Sequence, residues 1–338
     1  MEFLTALLIA STAPAFEKDV DLSGFYKGNT HAHSTRSDGN APPEKVVKWY
    51  RDHGYNFTFL TDHNKAAKPC EFTDLETPDF IAIAGEELSY SAKVPGADGK
   101  LHDAGVHVNS LCSTLTQGGL NMRHPAEALQ HAITRVKTQP GAVAQINHPF
   151  FQNALSSGII LSTHGAALLE IMNMHPLVRR DNARYGGAGA TEALWDSLLS
   201  KGMRLHGIAS DDAHDFNETA PGSSSIPGRG WIYAAADRLE DAAICDAIAK
   251  GRFYFSTGAV LDGISVEDDR FSLRISVWND LRGVAAKTEF IGSGGRLLAT
   301  EYGPFPSYRL RGGEGYVRAR TTVPYGGRAW SQAYYLSG

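Results

Sequence analysis

The chain has 338 residues, 42% hydrophobic and 20% charged, and its 32 Lys plus Arg against 37 Asp plus Glu give a formal net charge of −5. That composition excludes an intrinsically disordered protein, and the negative balance argues against tracking of a long nucleic-acid backbone, leaving small or short substrates. The length allows one large α/β barrel, alone or with a small module.

Phe3 to Ala10 is an apolar run followed by Ala13-Pro14-Ala15, a small-x-small pattern suited to signal cleavage, although Glu2 and no Lys or Arg precedes it. Residues 1–24 read as a leader or signal segment. A periplasmic or secreted location is expected, with a cytoplasmic one as the alternative. The run is too short to cross a membrane, and no later stretch approaches that length. Cys70, Cys112 and Cys245 are odd in number and widely spaced, so they are expected as buried free thiols.

Phe25 to Thr30 reads as a strand delivering His31-Ala32-His33. In extended chain residues i and i+2 share a face, so the two imidazoles point together, and the turn Ser37-Asp38-Gly39 swings Asp38 back towards them. Pro42-Pro43-Glu44 opens a helix that stops at Gly54. The strand Tyr55 to Thr61 delivers Asp62-His63, Phe80 to Ala84 delivers Glu86-Glu87, and Gly105 to Leu111 carries His107. A helix over Pro125 to Val136 precedes a strand, Ala142 to Ile146, that delivers Asn147-His148. Leu168 to Asn173 is a further strand, Thr191 to Ser200 a helix, and Arg204 to Ala209 a strand delivering Asp211-Asp212-Ala213-His214.

At least four strands thus carry His, Asp or Glu at their carboxyl ends. In a parallel barrel those ends share one rim, whereas a doubly wound sheet gathers fewer of them at its switch point. The barrel is expected over residues 25–258. After the helix Leu239 to Lys250 and the segment Gly251 to Gly258, the pattern changes to short alternating strands between Gly-rich turns, read as a small β-rich module over 259–338.

The candidate ligands are His31, His33, Asp38, His63, Glu87, His107, His148, Asp212 and His214, enough for two or three divalent ions, with Zn, Mn or Fe suited to imidazole plus carboxylate. Asp62 and Asp211 should face away and hydrogen-bond to the imidazoles, as should Asn147. Arg36, Lys65, His175, Arg179, Arg180 and Arg229 follow rim motifs or fall in late loops where an anionic, small-molecule substrate would need partners, and Glu170, ending a strand, could reach the same rim. The plain alternative for each arginine is a solvated surface charge. His53, His102, His124, His131, His164 and His206 lack a partner motif and read as solvent-facing, while Trp231, Trp278 and Trp330 read as packing.

The ordered set His31-x-His33 with Ser37-Asp38-Gly39, Thr61-Asp62-His63, Gly85-Glu86-Glu87, Asn147-His148-Pro149 and Asp212-x-His214 resembles the PHP (polymerase and histidinol phosphatase) superfamily of metal-dependent hydrolases. The resemblance implies a distorted (β/α)7 barrel with a metal cluster, usually trinuclear, at the carboxyl-terminal rim. Within it the chain is most similar to the branch that includes carbaryl hydrolase, through Gly105-Val106-His107-Val108-Asn109, Arg229-Gly230-Trp231, Gly251-Arg252-Phe253-Tyr254-x-Ser256-Thr257-Gly258 and Ala329-Trp330. By this analogy Glu87 is the bridging ligand and Glu86 points away. Val106 departs from the branch pattern of Gly directly before His, which puts His107 in question.

The expected activity is a phosphoesterase attacking a small phosphomonoester or short nucleotide through a metal-bridging hydroxide, with no side chain assigned as general acid. The alternatives are a carbamate, ester or amide hydrolase of the carbaryl-hydrolase type and a catalytically silent metal-binding module.

Overall fold

A computed structural model describes the chain over residues 14–67, 71–114, 116–184, 186–217, 224–276 and 285–337, and aromatic and β-branched runs set the strands of its first half. In chain order it places β1 (Val20–Leu22), β2 (Phe25–Asn29), α1 (Pro43–Asp52), β3 (Phe57–Leu60), β4 (Ile81–Pro95), β5 (Leu101–Leu111), α2 (Pro125–Lys137), β6 (Val143–Ile146) and α3 (Ser157–Leu161). There follow β7 (Leu168–Asn173), α4 (Pro176–Ala183), α5 (Ala188–Ser200), β8 (His206–Ser210), β9 (Trp231–Ala235), α6 (Asp241–Ala249) and β10 (Phe253–Ser256). The last part is all strand: β11 (Leu261–Glu267), β12 (Arg270–Ile275), β13 (Lys287–Gly292), β14 (Arg296–Tyr302), β15 (Ser307–Arg309), β16 (Tyr316–Thr322), β17 (Arg328–Trp330) and β18 (Tyr334–Tyr335). Cys70 and Trp278 lie outside the described residues.

Local sequence explains these boundaries. Pro43 fits the first turn of α1, whose buried face is Val46, Val47 and Tyr50, and Gly54 supplies the positive φ just past its end. β3 and β6 are buried at every position, as parallel strands covered on both faces must be. The main core lies between this sheet and α2, α5 and α6, and Phe255 stacks on Trp330 with ring centroids 5.1 Å apart.

The expected closed (β/α)7 barrel is not what forms. The large sheet runs β14-β13-β16-β17-β10-β9-β2-β3-β4-β5-β6-β7-β8, and the parallel runs β2-β3-β4 and β6-β7-β8 are separated by the antiparallel strand β5. The long β4–β5 hairpin interrupts the β/α alternation that a barrel needs. Among the described residues no ladder joins β8 to β2. The chain segments that follow them meet at the Ala32 to Ala213 bridge, where the His33 N–H donates to the Ala213 carbonyl at 2.9 Å, and at the Asn40 N–H, which donates to the His214 carbonyl at 2.8 Å. The mixed α/β fold therefore keeps one shared rim at the carboxyl ends of six parallel strands without closing.

Three further expectations meet the structure here. The β-rich part is continuous with the large sheet, because β17 pairs with β10; its remaining strands β11, β12 and β15 form, with β1, a separate four-stranded sheet. Residues grouped with the leader enter that sheet: β1 pairs with β11, and Phe16 bridges Leu336. Cys112 and Cys245 are not free thiols. Folding brings the end of β5 against α6 with the two Cα atoms 6.2 Å apart, and the cysteines form a disulfide across 133 residues of sequence.

The carboxyl-terminal strands are fastened by ions. Arg318 on β16 is fully buried and bonds Asp196 Oδ1 through Nε at 2.8 Å and Oδ2 through Nη2 at 2.7 Å, with Glu192 3.3 Å away. Arg320 reaches Glu192 and Glu289, and the Tyr316 hydroxyl donates to Asp196 at 2.7 Å. Removing one partner of such a buried pair leaves a desolvated charge uncompensated. Arg318→Ala is accordingly expected to destabilise the chain by about 3–5 kcal/mol in urea denaturation, whereas exposed Arg238→Ala should change stability by less than about 0.5 kcal/mol.

Candidate metal centre

Strand periodicity and one parallel bridge build the site. His31 and His33 follow β2, and the His63 to Glu87 bridge sets those side chains next to each other, with the Glu87 N–H on the Asp62 carbonyl and the Asn64 N–H on the Glu87 carbonyl. The tight turn after His33 brings Asp38 round; a Cβ on Gly39 would meet the His33 carbonyl oxygen at 2.6 Å, so that turn requires glycine. His148 and Asp212 sit at φ of 23° and 48°, backbone that costs L-residues of order 1–3 kcal/mol each and is commonly found where function demands it. His107 arrives differently, from the middle of the antiparallel strand β5 opposite Ser89.

All nine candidate ligands converge. Glu87 is at the centre: its Oε2 lies 3.2 Å from His31 Nε2, 3.2 Å from His33 Nε2 and 3.0 Å from His63 Nδ1, and its Oε1 lies 3.0 Å from His107 Nδ1 and 3.4 Å from His148 Nε2. Asp212 Oδ1 is 3.3 Å from His31 Nε2 and 3.2 Å from His33 Nε2. At the mouth, Asp38 lies 3.3 Å from His214 Nε2 and 3.5 Å from His63 Nε2, its side chain 56% exposed. His31, His33 and Glu87 form one group able to hold an ion, His63, Glu87 and His107 a second, and His33, Asp38, His63 and His214 a third.

The donor atoms fit a cation and little else. His31 Nε2, His33 Nε2, Glu87 Oε2 and His107 Nδ1 are buried and have no hydrogen-bond partner among the described residues. Ligands about 2.0–2.1 Å from a tetrahedral ion stand about 3.3 Å apart, which is the spacing found here. Burial would raise the carboxyls of Glu87 and Asp212, yet the imidazoles hold both well below the usual carboxylate range. Burial equally works against protonation of His31 and His148, yet the carboxylates win and raise both pKa values, whereas His107 is pushed down by burial. The buried carboxylates draw cations, protons among them, and metal uptake must displace those protons.

A second layer of side chains holds the donors still. Glu170, read from sequence as a rim residue, is buried: His31 Nδ1 donates to its Oε1 at 2.8 Å, Ser210 to the same oxygen at 2.6 Å, and the His148 N–H and Asn173 Nδ2 to its Oε2 at 2.7 and 2.9 Å. It fixes the tautomer of His31 that leaves Nε2 free, so its role is positioning rather than substrate contact. Asp62 and Asp211 do not reach imidazoles. Asp62 accepts from the Ser34 N–H, the Ser34 hydroxyl and the Ser37 hydroxyl, shaping the His33 turn; Asp211 accepts from the N–H groups of Gly228, Arg229 and Gly230 and from the Tyr50 hydroxyl. Asn147 donates to Glu87 Oε1 and to Asn109, both at 2.8 Å. Glu86 faces the other way and accepts from the N–H groups of Gln117 and Gly118.

Sequence reading missed Ser89, whose hydroxyl bonds His63 Nδ1, and Asn173, which donates to Asp212 Oδ2 at 3.0 Å. Ser89 lies two residues beyond Glu87 on the same strand, and Asn173 ends β7 just as the ligand motifs end other strands. That periodicity was the available signal.

The basic residues expected to meet substrate divide. Arg36 forms a two-point pair with Glu71, Lys65 donates to the Arg36 carbonyl, and Arg180 lies 3.5 Å from Asp181, so these three charges are engaged elsewhere. Arg229 is held down by burial and then by the charge of Arg179, which places two guanidiniums near one another. His175 caps α4 by accepting the Leu177 N–H on Nδ1 at 3.2 Å, and its ring centroid lies 5.0 Å from that of His214. Burial lowers its pKa to about 4, so the neutral ring carries its proton on Nε2 as a donor at the rim. Of the histidines read as solvent-facing, His206 and His131 are half-buried, and His131 is bonded to the Tyr90 hydroxyl at 3.0 Å.

No family model and no curated protein matches the chain. Among solved structures it is similar to a two-domain protein from Bacteroides vulgatus containing a predicted PHP-like metal-dependent phosphoesterase, at 16% identity and TM-score 0.48 over 95% of this chain and 97% of that one. It is also similar to a candidate metal-dependent phosphoesterase from Bifidobacterium adolescentis, at 13% identity and TM-score 0.37 over 66% and 94% of the two chains. A third similarity is to an amidohydrolase from Chromobacterium violaceum with bound sulfate and no metal, at 14% identity and TM-score 0.32 over 58% and 93%. All three scores are low, so what the site does is read from its own geometry.

Since Glu170 orients His31 and the His148 backbone, Glu170→Gln should weaken metal binding by about 10–100-fold in a metal titration without unfolding the chain, and unchanged affinity would show that the carboxylate does not position His31.

Proposed function

We propose that the chain is a metal-dependent hydrolase acting on a small anionic ester, a phosphomonoester or short nucleotide first among them. The observation that carries this reading is the set of buried, unpartnered nitrogen and oxygen atoms around Glu87 at one open rim. Two or three divalent cations held there, Zn, Mn or Fe, would supply an acidified water and charge stabilisation on the oxygens of the electrophile.

The chain's own residues do the rest. Glu87 offers its two oxygens to different sets of imidazoles and would hold more than one of the ions. Asp212 is held by Asn173, and His31 by Glu170, so the donors keep their geometry through a reaction cycle. Arg229 and Arg179, with the Nε2–H of His175, provide positive charge and a donor for an anionic substrate at the rim. The PHP resemblance of the five motifs supports the same reading. A carbonyl substrate with an aryl leaving group is favoured by one feature, Phe151, whose ring centroid lies 5.2 Å from that of His148 and gives the rim an apolar edge. The Cys112–Cys245 disulfide supports an oxidising compartment, periplasmic or secreted.

The metal-loaded chain should hydrolyse p-nitrophenyl phosphate or its diester faster than a p-nitrophenyl carbamate. The reverse order would select the carbonyl reading, and full metal loading with no ester turned over would select a binding module. His33→Ala and Asp212→Asn should each abolish turnover while the far-UV circular dichroism stays unchanged; undiminished rates in either metal-loaded variant would refute the ligand assignment.

A further inference from the structure

At the opposite end of β8 from the metal cluster lies a cavity of about 210 Å³ that the reading above does not use. His206 begins β8 and lines it, whereas Asp212 follows the other end of that strand, about 20 Å away at 3.3 Å per residue. The two sites are therefore separate.

The cavity is built. His206 is half-buried, its ring against Phe253 with centroids 6.1 Å apart, and its imidazole makes no hydrogen bond among the described residues. The ring packs over Gly251 so closely that a Cβ there would lie 2.2 Å from its Cε1, and Gly251 has a φ of +68°, so glycine is required to seat it. Burial holds the pKa of His206 to about 4, so at neutral pH the ring is uncharged and offers one donor and one acceptor. Nearby, Arg252 has a buried Nε with no hydrogen-bond partner among the described residues.

Charge and wall chemistry then restrict the occupant. Lys18, Arg204, Lys250 and Arg252 stand around the cavity. Two carboxylates answer these four cations: Glu17 pairs with Arg204 at 2.8 Å, and Asp246 is shared by Lys250 and Arg252, each at 2.8 Å. The surplus is positive. Between these charges the wall is apolar, from Val20, Leu22, Leu205 and Tyr335, the last covered by the Arg204 guanidinium 3.4 Å from its ring centroid. The volume falls below the roughly 300–1,000 Å³ of drug-sized sites, so the occupant is small.

We propose that this cavity binds a small organic carboxylate, its apolar body against Val20, Leu22 and Leu205 and its anionic head between His206 and the Lys18–Arg252 side of the mouth. A carboxylate uses both features at once: it neutralises the surplus charge and accepts from the imidazole N–H.

The test is calorimetric titration of the full metal-loaded chain with hexanoate, 1-hexanol and inorganic phosphate. Hexanoate should bind saturably at one site, and hexanol and phosphate at least tenfold more weakly, because each lacks one half of the recognition. Lys18→Ala, an exposed change, and Arg252→Ala should together weaken hexanoate at least tenfold and leave metal content unchanged. Gly251→Ala, which displaces the His206 ring, should do the same, whereas His33→Ala should leave hexanoate binding intact. Absence of saturable hexanoate binding, equal affinity for hexanol or phosphate, insensitivity to the Lys18, Arg252 and Gly251 changes, or loss of binding in His33→Ala would each overturn the proposal.

Discussion

A buried carboxylate surrounded by imidazoles that do not hydrogen-bond to it is the constraint on which the rest of the molecule depends. Glu87 has five histidines within 3.4 Å, and its Oε2, with three of the facing nitrogens, has no hydrogen-bond partner among the described residues. Leaving one such group unsatisfied costs about 1–3 kcal/mol and more when it is charged, so several in one place are tolerable only if something cationic fills the space between them. Protons do this in part, which is why the imidazoles His31 and His148 are drawn towards protonation and Glu87 away from it. A divalent ion does it with better geometry.

The fold serves that constraint at some expense to its regularity. Parallel pairing of β2, β3 and β4, and of β6, β7 and β8, puts strand ends at a common rim, and the hairpin of β4 and β5 adds His107 from a strand running the other way. His148, Asp212 and Asn64 hold left-handed backbone around the site. The remainder compensates: Glu170 gathers His31, Ser210, Asn173 and the His148 backbone onto one carboxylate, and the ion network around Arg318 fastens the carboxyl-terminal strands to α5. Stability thus rests on parts remote from the rim, which leaves the rim free to be strained and polar.

Much of the site was readable because ligand chemistry obeys local rules. His31 and His33 share a face by strand alternation, and His63, Glu87, His148 and Asp212 each end or follow a recognisable apolar strand. What was not readable depended on tertiary pairing. The antiparallel entry of β5 makes His107 reach Glu87 and prevents the alternating barrel, yet nothing in Gly105 to Leu111 records strand direction. Cys112 and Cys245 are separated by 133 residues, and only the docking of α6 on the end of β5 makes them partners. Asp62 and Asp211 were placed behind imidazoles by alternation alone, but Asp62 binds one N–H and two hydroxyls of the turn after His33 and Asp211 three N–H groups of a loop, because loops bring more unsatisfied donors than a histidine ring has to give. Arg36 shows the same limit: Glu71, 35 residues further along the chain, engages its charge.

The central claim is that the nine converging side chains exist to hold cations. It is tested most directly by counting metal per chain by mass spectrometry after saturation with Zn or Mn and removal of excess, in the native sequence and in Glu87→Ala. Two or three ions per chain, falling by at least one when the central carboxylate is removed, is the predicted result. Fewer than one ion per folded chain at saturation, or a count unaffected by Glu87→Ala, would contradict it.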